Sequence, residues 1–112
     1  QFYVSEDDVG RVSRAAASTK QLASLNPYVK VKNIEGVQLV SETGSPAADI
    51  LSQFSVVVMV DQPMAIQKVV DNYCHTNSIR FIATSSRGVF GYLFNDFGKD
   101  FVVVDSNGEE PK

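Results

Sequence analysis

Cys74 and His75 stand side by side in a chain of 112 residues that holds one cysteine and one histidine. A thiol beside an imidazole raises the question of an activated nucleophile or a metal site. Both fall in a stretch of helical period, where neighbouring side chains point about 100° apart and do not converge on one atom. No second Cys or His is present to complete a zinc ligand set. Cys74 is therefore expected in the core and His75 on the solvated side of the same helix.

The acidic motifs reduce in the same way. Asp96-Phe97-Gly98 copies the magnesium-binding triplet of protein kinases. The glycine-rich loop, strand lysine and catalytic loop that give the triplet its role are missing. Asp105-Ser106-Asn107-Gly108 resembles a calcium loop, but Gly108 stands fourth where that loop requires its glycine sixth. Asn107-Gly108 reads instead as a hairpin turn. Gly88-Val89-Phe90-Gly91 has neither the dinucleotide nor the phosphate spacing, and it lies between strands instead of opening a helix. Asp7 and Asp8 suit a helix start. Arg11, Arg14, Lys20, Lys30 and Lys32 are balanced by acidic neighbours and read as a solvated face. On its own residues the chain carries no catalytic, cofactor-binding or metal-ligating site.

Two helices are expected. Val12, Ala15, Ala16, Thr19, Leu22 and Ala23 recur at spacings of three and four and should stop near Asn26-Pro27. Ile66, Val69, Val70, Tyr73 and Cys74 make a second, narrower stripe, with Asp61 as cap and Pro63 in the first turn. Strands are expected over residues 28–31, 37–40, 54–60, 79–84, 89–94 and 101–104. Residues 54–60 (Phe-Ser-Val-Val-Val-Met-Val) are almost continuously apolar, which suits a strand covered on both faces. Phe90, Tyr92 and Phe94 alternate and are expected to pack in the core. The polar loop 41–47 is expected to be mobile. Helix alternating with strand, then consecutive strands, predicts an α/β fold. Its sheet is mostly parallel with helical crossovers, and antiparallel strands close its C-terminal end.

Composition bounds the function classes. A net charge of −3 and 21% charged residues argue against a protein whose main business is gripping nucleic acid or anionic lipid. No apolar run approaches the roughly 20 residues of a membrane span. A single cysteine fits a reducing compartment. The opening Gln1-Phe2-Tyr3-Val4 and the ending Glu109-Glu110-Pro111-Lys112 read as cuts inside a longer protein.

Gln1-Phe2-Tyr3-Val4, Arg14-Ala15, Leu25-Asn26-Pro27-Tyr28-Val29 and Cys74-His75 together resemble the adenylation fold of the ThiF/MoeB-like superfamily, the activating enzymes for ubiquitin-like proteins. The Asn-Pro element alone is shared with bacterial sulfur-carrier adenylyltransferases. The most specific part is Arg87-Gly88-Val89-Phe90-Gly91-Tyr92-Leu93-Phe94-Asn95-Asp96-Phe97-Gly98, followed by Val104-Asp105-Ser106-Asn107-Gly108-Glu109-Glu110-Pro111. It is similar to the inactive adenylation half of single-chain ubiquitin-activating enzymes. The resemblance implies residues 1–99 as the C-terminal part of that Rossmann-like half and 100–112 as the start of the first catalytic-cysteine half-domain. It also implies a pseudo-dimer in which the other half binds ATP and magnesium, with ubiquitin and ubiquitin-conjugating enzymes as partners in cytoplasm and nucleus.

Two departures point to the inactive half. The active half's lysine place corresponds to Ser13, and its Asp-Asn…Ala-Arg element reads Asp61-Gln62-Pro63-Met64-Ala65-Ile66, with Ile66 at the arginine place. Asp61 alone lacks the cations to hold a triphosphate and metal. The family's phosphate loop and first strands would lie upstream of Gln1. A sheet without them exposes an edge and a face, so the isolated segment is expected to self-associate. The rival readings are the regulatory subunit of a heterodimeric activating enzyme, a fragment of a Rossmann nucleotide-binding module, and a free-standing interaction domain.

Overall fold

The computed structural model describes residues 2–104 and 108 and divides into two compact units, Gln1–Val37 and Gln38–Lys112. The first unit holds a single 3-10 turn, Glu6–Asp8, and the helix α1, Arg14–Leu25. Asp8 closes the turn by accepting the Ser5 N–H and hydroxyl, both at 2.8 Å. Asp7 and Asp8 thus belong to this short turn and not to the start of α1. Ser13 is the α1 cap, accepting the Ala16 N–H at 3.1 Å while donating to Glu35 at 2.7 Å. The helix stops at Asn26, as Pro27 requires. Val12 falls outside it, and no residue of α1 is buried.

The second unit is α/β. A four-residue helix, α2 (Ala48–Leu51), precedes strand β1 (Val56–Val60), helix α3 (Met64–Thr76) and strands β2 (Arg80–Arg87) and β3 (Phe90–Asp96). The sheet order is β1-β2-β3. β1 and β2 are parallel, with Val58 opposite Ile82, and α3 makes the crossover between them. β3 turns back through Gly88-Val89 and pairs antiparallel with β2, with Thr84 opposite Leu93. Gly88 sits at φ 62°, where a side chain would be strained.

The core lies on one face of this sheet. Val57, Met59, Phe81 and Ala83 meet Val70 and Cys74 of α3, with Ile79 and Leu51 of the small helix closing the ends. Sequence periodicity did not anticipate α2, yet its Leu51 is 1% exposed. Gln67, three residues before Val70, completes the buried stripe of α3 and was not expected there. No helix among the described residues is long and apolar enough to cross a membrane.

Several expectations are corrected. β1 is not covered on both faces: its residues alternate exposed and buried, with Val58 56% exposed. The strands expected over 28–31, 37–40 and 101–104 do not form. Only an isolated bridge, Val40 to Pro46, is made near the second of them. A lone extended segment leaves its N–H and C=O groups to water unless a neighbouring strand takes them. Loop 41–47 is a tight turn, closed by the Ser41 N–H on the Ser45 carbonyl (2.8 Å) and the Ser45 N–H on the Ser41 hydroxyl (3.1 Å). Phe90, Tyr92 and Phe94 share the core side of β3 but stay largely open; Phe94 meets Phe81 edge-on at 6.5 Å. The hairpin expected at residues 105–108 falls on residues outside those described, Gly108 apart.

Candidate functional site

In an open sheet with parallel strands, ligands seat outside the strands' carboxyl ends. Here that place is the junction of β1, β2 and α3. β1 ends at Val60, and Asp61 follows with φ 54°, a left-handed turn that Asp tolerates better than most residues. Its N–H bonds the Thr84 carbonyl at 3.0 Å. Its Oδ1 accepts the Ser85 hydroxyl at 2.7 Å and the Ser86 N–H at 3.1 Å. Asp61 is therefore a brace between the two strand ends. The cap expected of it goes instead to Pro63, whose side chain offers α3 no hydrogen bond.

Gln67 is the second polar element. It is 5% exposed, and its amide nitrogen donates to the Gln62 carbonyl at 2.6 Å, with the Tyr92 hydroxyl 2.8 Å away. A buried amide has to be satisfied in this way. Its spacing of three and seven from Val70 and Cys74 was the signal that could have revealed it.

Around these groups lies an open crevice of about 460 Å³, walled by Met64, Phe90 and Tyr92 with Asp61 and Arg87 as its charged groups. One arginine faces one carboxylate that already holds two donors. Ile66, at the place the resemblance assigns to an arginine, packs against the core. Such a crevice is poorly matched to a triphosphate, whose charge calls for several cations or metal ions. Among the described residues no group of three or more His, Cys, Asp or Glu side chains could hold a metal ion.

Cys74 is fully buried, and burial, reinforced by the charges of Asp71 and Asp96, pushes its thiol up to about 11. It is a core residue and an inert thiol at neutral pH. His75 is not simply solvated: its Nδ1 lies 2.8 Å from Asp96 Oδ2, joining α3 to the last residue of β3. Nothing local to either motif signals that Cys-His and Asp-Phe-Gly meet, because that contact depends on the hairpin register.

The ThiF family pattern matches residues 1–99. The chain belongs to the ThiF family. Within it, the chain is 43% identical over 111 residues to ubiquitin-like modifier-activating enzyme 1 of Dictyostelium discoideum and 41% identical to that of Homo sapiens. It is 40% identical to ubiquitin-like modifier-activating enzyme 7 of Mus musculus. Each match takes in 99% of this chain and 10% of the relative. This ThiF domain thus resembles a tenth of an activating enzyme, and the mixed sheet with its α3 crossover is a partial Rossmann-like fold of that family.

Proposed function

We propose that the chain is a segment of a single-chain ubiquitin-activating enzyme, an ATP-dependent ligase that adenylates ubiquitin and passes it to a cysteine as a thioester. Within that enzyme it is a structural part of the adenylation half that lacks nucleotide chemistry. Residues 1–99 close that half, and residues 100–112 lead into the first catalytic-cysteine half-domain. The partner is the active adenylation half of the same polypeptide. ATP, magnesium, ubiquitin and the ubiquitin-conjugating enzymes are met by the parent protein, in cytoplasm and nucleus. The ending Asp105-Ser106-Asn107-Gly108-Glu109-Glu110-Pro111 favours ubiquitin as the modifier.

The observation that carries the reading is the crevice at Asp61. Its carboxylate is spent on Ser85 and Ser86, and the position that the resemblance assigns to a cation holds Ile66, packed against the core. The sheet adds support. β1 is an edge of the sheet, with no strand paired on its other side among the described residues, as a parallel sheet missing its first strands would leave it.

The test is nucleotide stoichiometry in the full-length protein, by titration calorimetry with ATP and magnesium. One ATP per polypeptide is expected, with Asp61→Asn leaving both stoichiometry and affinity unchanged. A second micromolar site, lost in Asp61→Asn, would overturn the scaffold assignment.

A further inference from the structure

A second cleft, of about 550 Å³, opens at the other end of β2 from the Asp61 crevice, and the proposed function does not use it. It lies where β2 begins, α3 ends and the chain leaves β3. Its charged groups are Arg80 from β2, with Lys99 and Asp100 from the departing segment. His75 reaches it from α3 with Nδ1 already committed to Asp96 at 2.8 Å. Neither Arg80 nor Lys99 makes a side-chain hydrogen bond or an ion pair among the described residues. Two cations therefore stand in one concavity without a counter-charge bound to either.

Arg80 is held in place on both sides. Its N–H bonds the Ser55 carbonyl at 3.0 Å, which fixes the backbone in the sheet. Its guanidinium lies over the Phe101 ring, 5.7 Å from the centroid, and that ring packs on Phe97 at 4.8 Å. Stacking holds a guanidinium by its face and leaves the N–H fork along its edge for a carboxylate. The negative end of α3 would oppose an anion here. The Tyr73 and Cys74 carbonyls at that end, however, are taken by the Asn77 and Ile79 N–H groups. Within the lining, two cations against Asp100 leave one net positive charge, which matches one carboxylate and falls short of a phosphate dianion. Phe101 and Val102, 45% and 73% exposed, give the same cleft an apolar side.

We propose that this cleft docks an acidic segment of a partner polypeptide, with one carboxylate held by Arg80 and Lys99 and the apolar side chain beside it laid against Phe101 and Val102. Arg80 gives the contact its direction through a planar fork, and Lys99 adds a point charge. Asp100 repels a second carboxylate at the same spot, so the segment that fits has its acids separated by apolar residues. The proposal does not rest on the reading of the Asp61 crevice, because the two clefts lie at opposite ends of β2.

The test is fluorescence anisotropy of a fluorescein-labelled peptide of alternating glutamate and phenylalanine, titrated with the full-length protein. A saturable rise is expected. Arg80→Gln and Lys99→Gln should each weaken binding about two- to fivefold, the size of an exposed charge pair. Phe101→Leu keeps an apolar wall but removes the ring under Arg80, and should weaken binding as well. Lys68→Gln, an exposed cation on α3 outside the cleft, should leave the affinity unchanged. Thermal melting checks that each variant folds, and Lys99→Gln on its exposed segment keeps the test decisive if Arg80→Gln destabilises the protein. The same peptide with glutamine in place of glutamate should bind more weakly. Absence of saturable binding would overturn the proposal, as would equal affinity for the glutamine peptide or equal losses in Lys68→Gln and Lys99→Gln. Displacement by inorganic phosphate, but not by acetate at the same ionic strength, would make this a phosphate site instead and overturn it too.

Discussion

Val58→Lys is the sharpest probe of the idea that this sheet is built to be covered by something else. Val56, Val58 and Val60 on β1 and Leu93 on β3 share the face opposite the core and are 43%, 56%, 56% and 66% exposed. That leaves open about two side chains' worth of apolar surface, or about 3–6 kcal/mol if it were fully buried. Two such faces meeting would gain about 6–12 kcal/mol, against an association cost of about 4–15 kcal/mol. With the gain toward the upper end of its range and the cost at its low end, about 4–8 kcal/mol is left over, so the isolated chain should associate weakly, with a dissociation constant between about micromolar and millimolar. Val58→Lys removes about 1 kcal/mol of apolar contact per copy and sets two like charges together, so the constant should rise at least about tenfold. Sedimentation equilibrium over a concentration series measures both, with Asn72→Lys on the exposed side of α3 as the control for added charge. A wild-type chain that stays monomeric to millimolar concentration would refute the reasoning. So would a Val58→Lys chain that associates as tightly as the control.

Three further outcomes are expected. Asp61→Ala leaves the Ser85 hydroxyl and the Ser86 N–H without their acceptor and should cost about 1–3 kcal/mol, read as a shift in denaturant midpoint. Asp61→Asn keeps an acceptor and tolerates the same backbone angle, so it should cost under about 1 kcal/mol; equal losses would show that the brace is not the reason for this residue. Cys74 should resist alkylation by iodoacetamide at neutral pH and react fully in denaturant, followed by mass spectrometry; rapid native labelling would contradict its burial. The Gly98 N–H, and then His75, hold the Asp96 carboxyl below its ordinary range. A depressed carboxylate stabilises the fold above its unfolded pKa, and that contribution disappears as pH falls through its folded value. Asp96→Asn should therefore flatten the loss of stability below about pH 4, measured as denaturant midpoint against pH.

The elements that were legible in the sequence are those whose pattern is local. The stripe Ile66, Val70, Tyr73, Cys74 announced α3, and Asn26-Pro27 announced the end of α1, because helix period and proline geometry need only near neighbours. The alternation of helix with apolar run was enough for the α/β class. Strand candidates fared unevenly, since a β-rich segment becomes a strand only when another chain segment accepts its hydrogen bonds. Residues 54–60 found β2; residues 28–31 and 101–104 found nothing among the described residues. The missing piece was the short helix α2, too brief to show a period, whose Leu51 is nonetheless a core residue.

Residue identity alone settled that the chain holds one cysteine and one histidine, set side by side, and that Pro27 follows Asn26. Those are statements of composition and order, and no folding could change them. Tertiary structure decided which polar groups meet. It turned Asp61 from an expected helix cap into a strand brace, drew Gln67 inside, and set His75 against Asp96 from a motif 21 residues away. The physical reason is that hydrogen bonds have a reach of about 3 Å, so their partners depend on sheet register and crossover geometry, which are long-range properties of the chain.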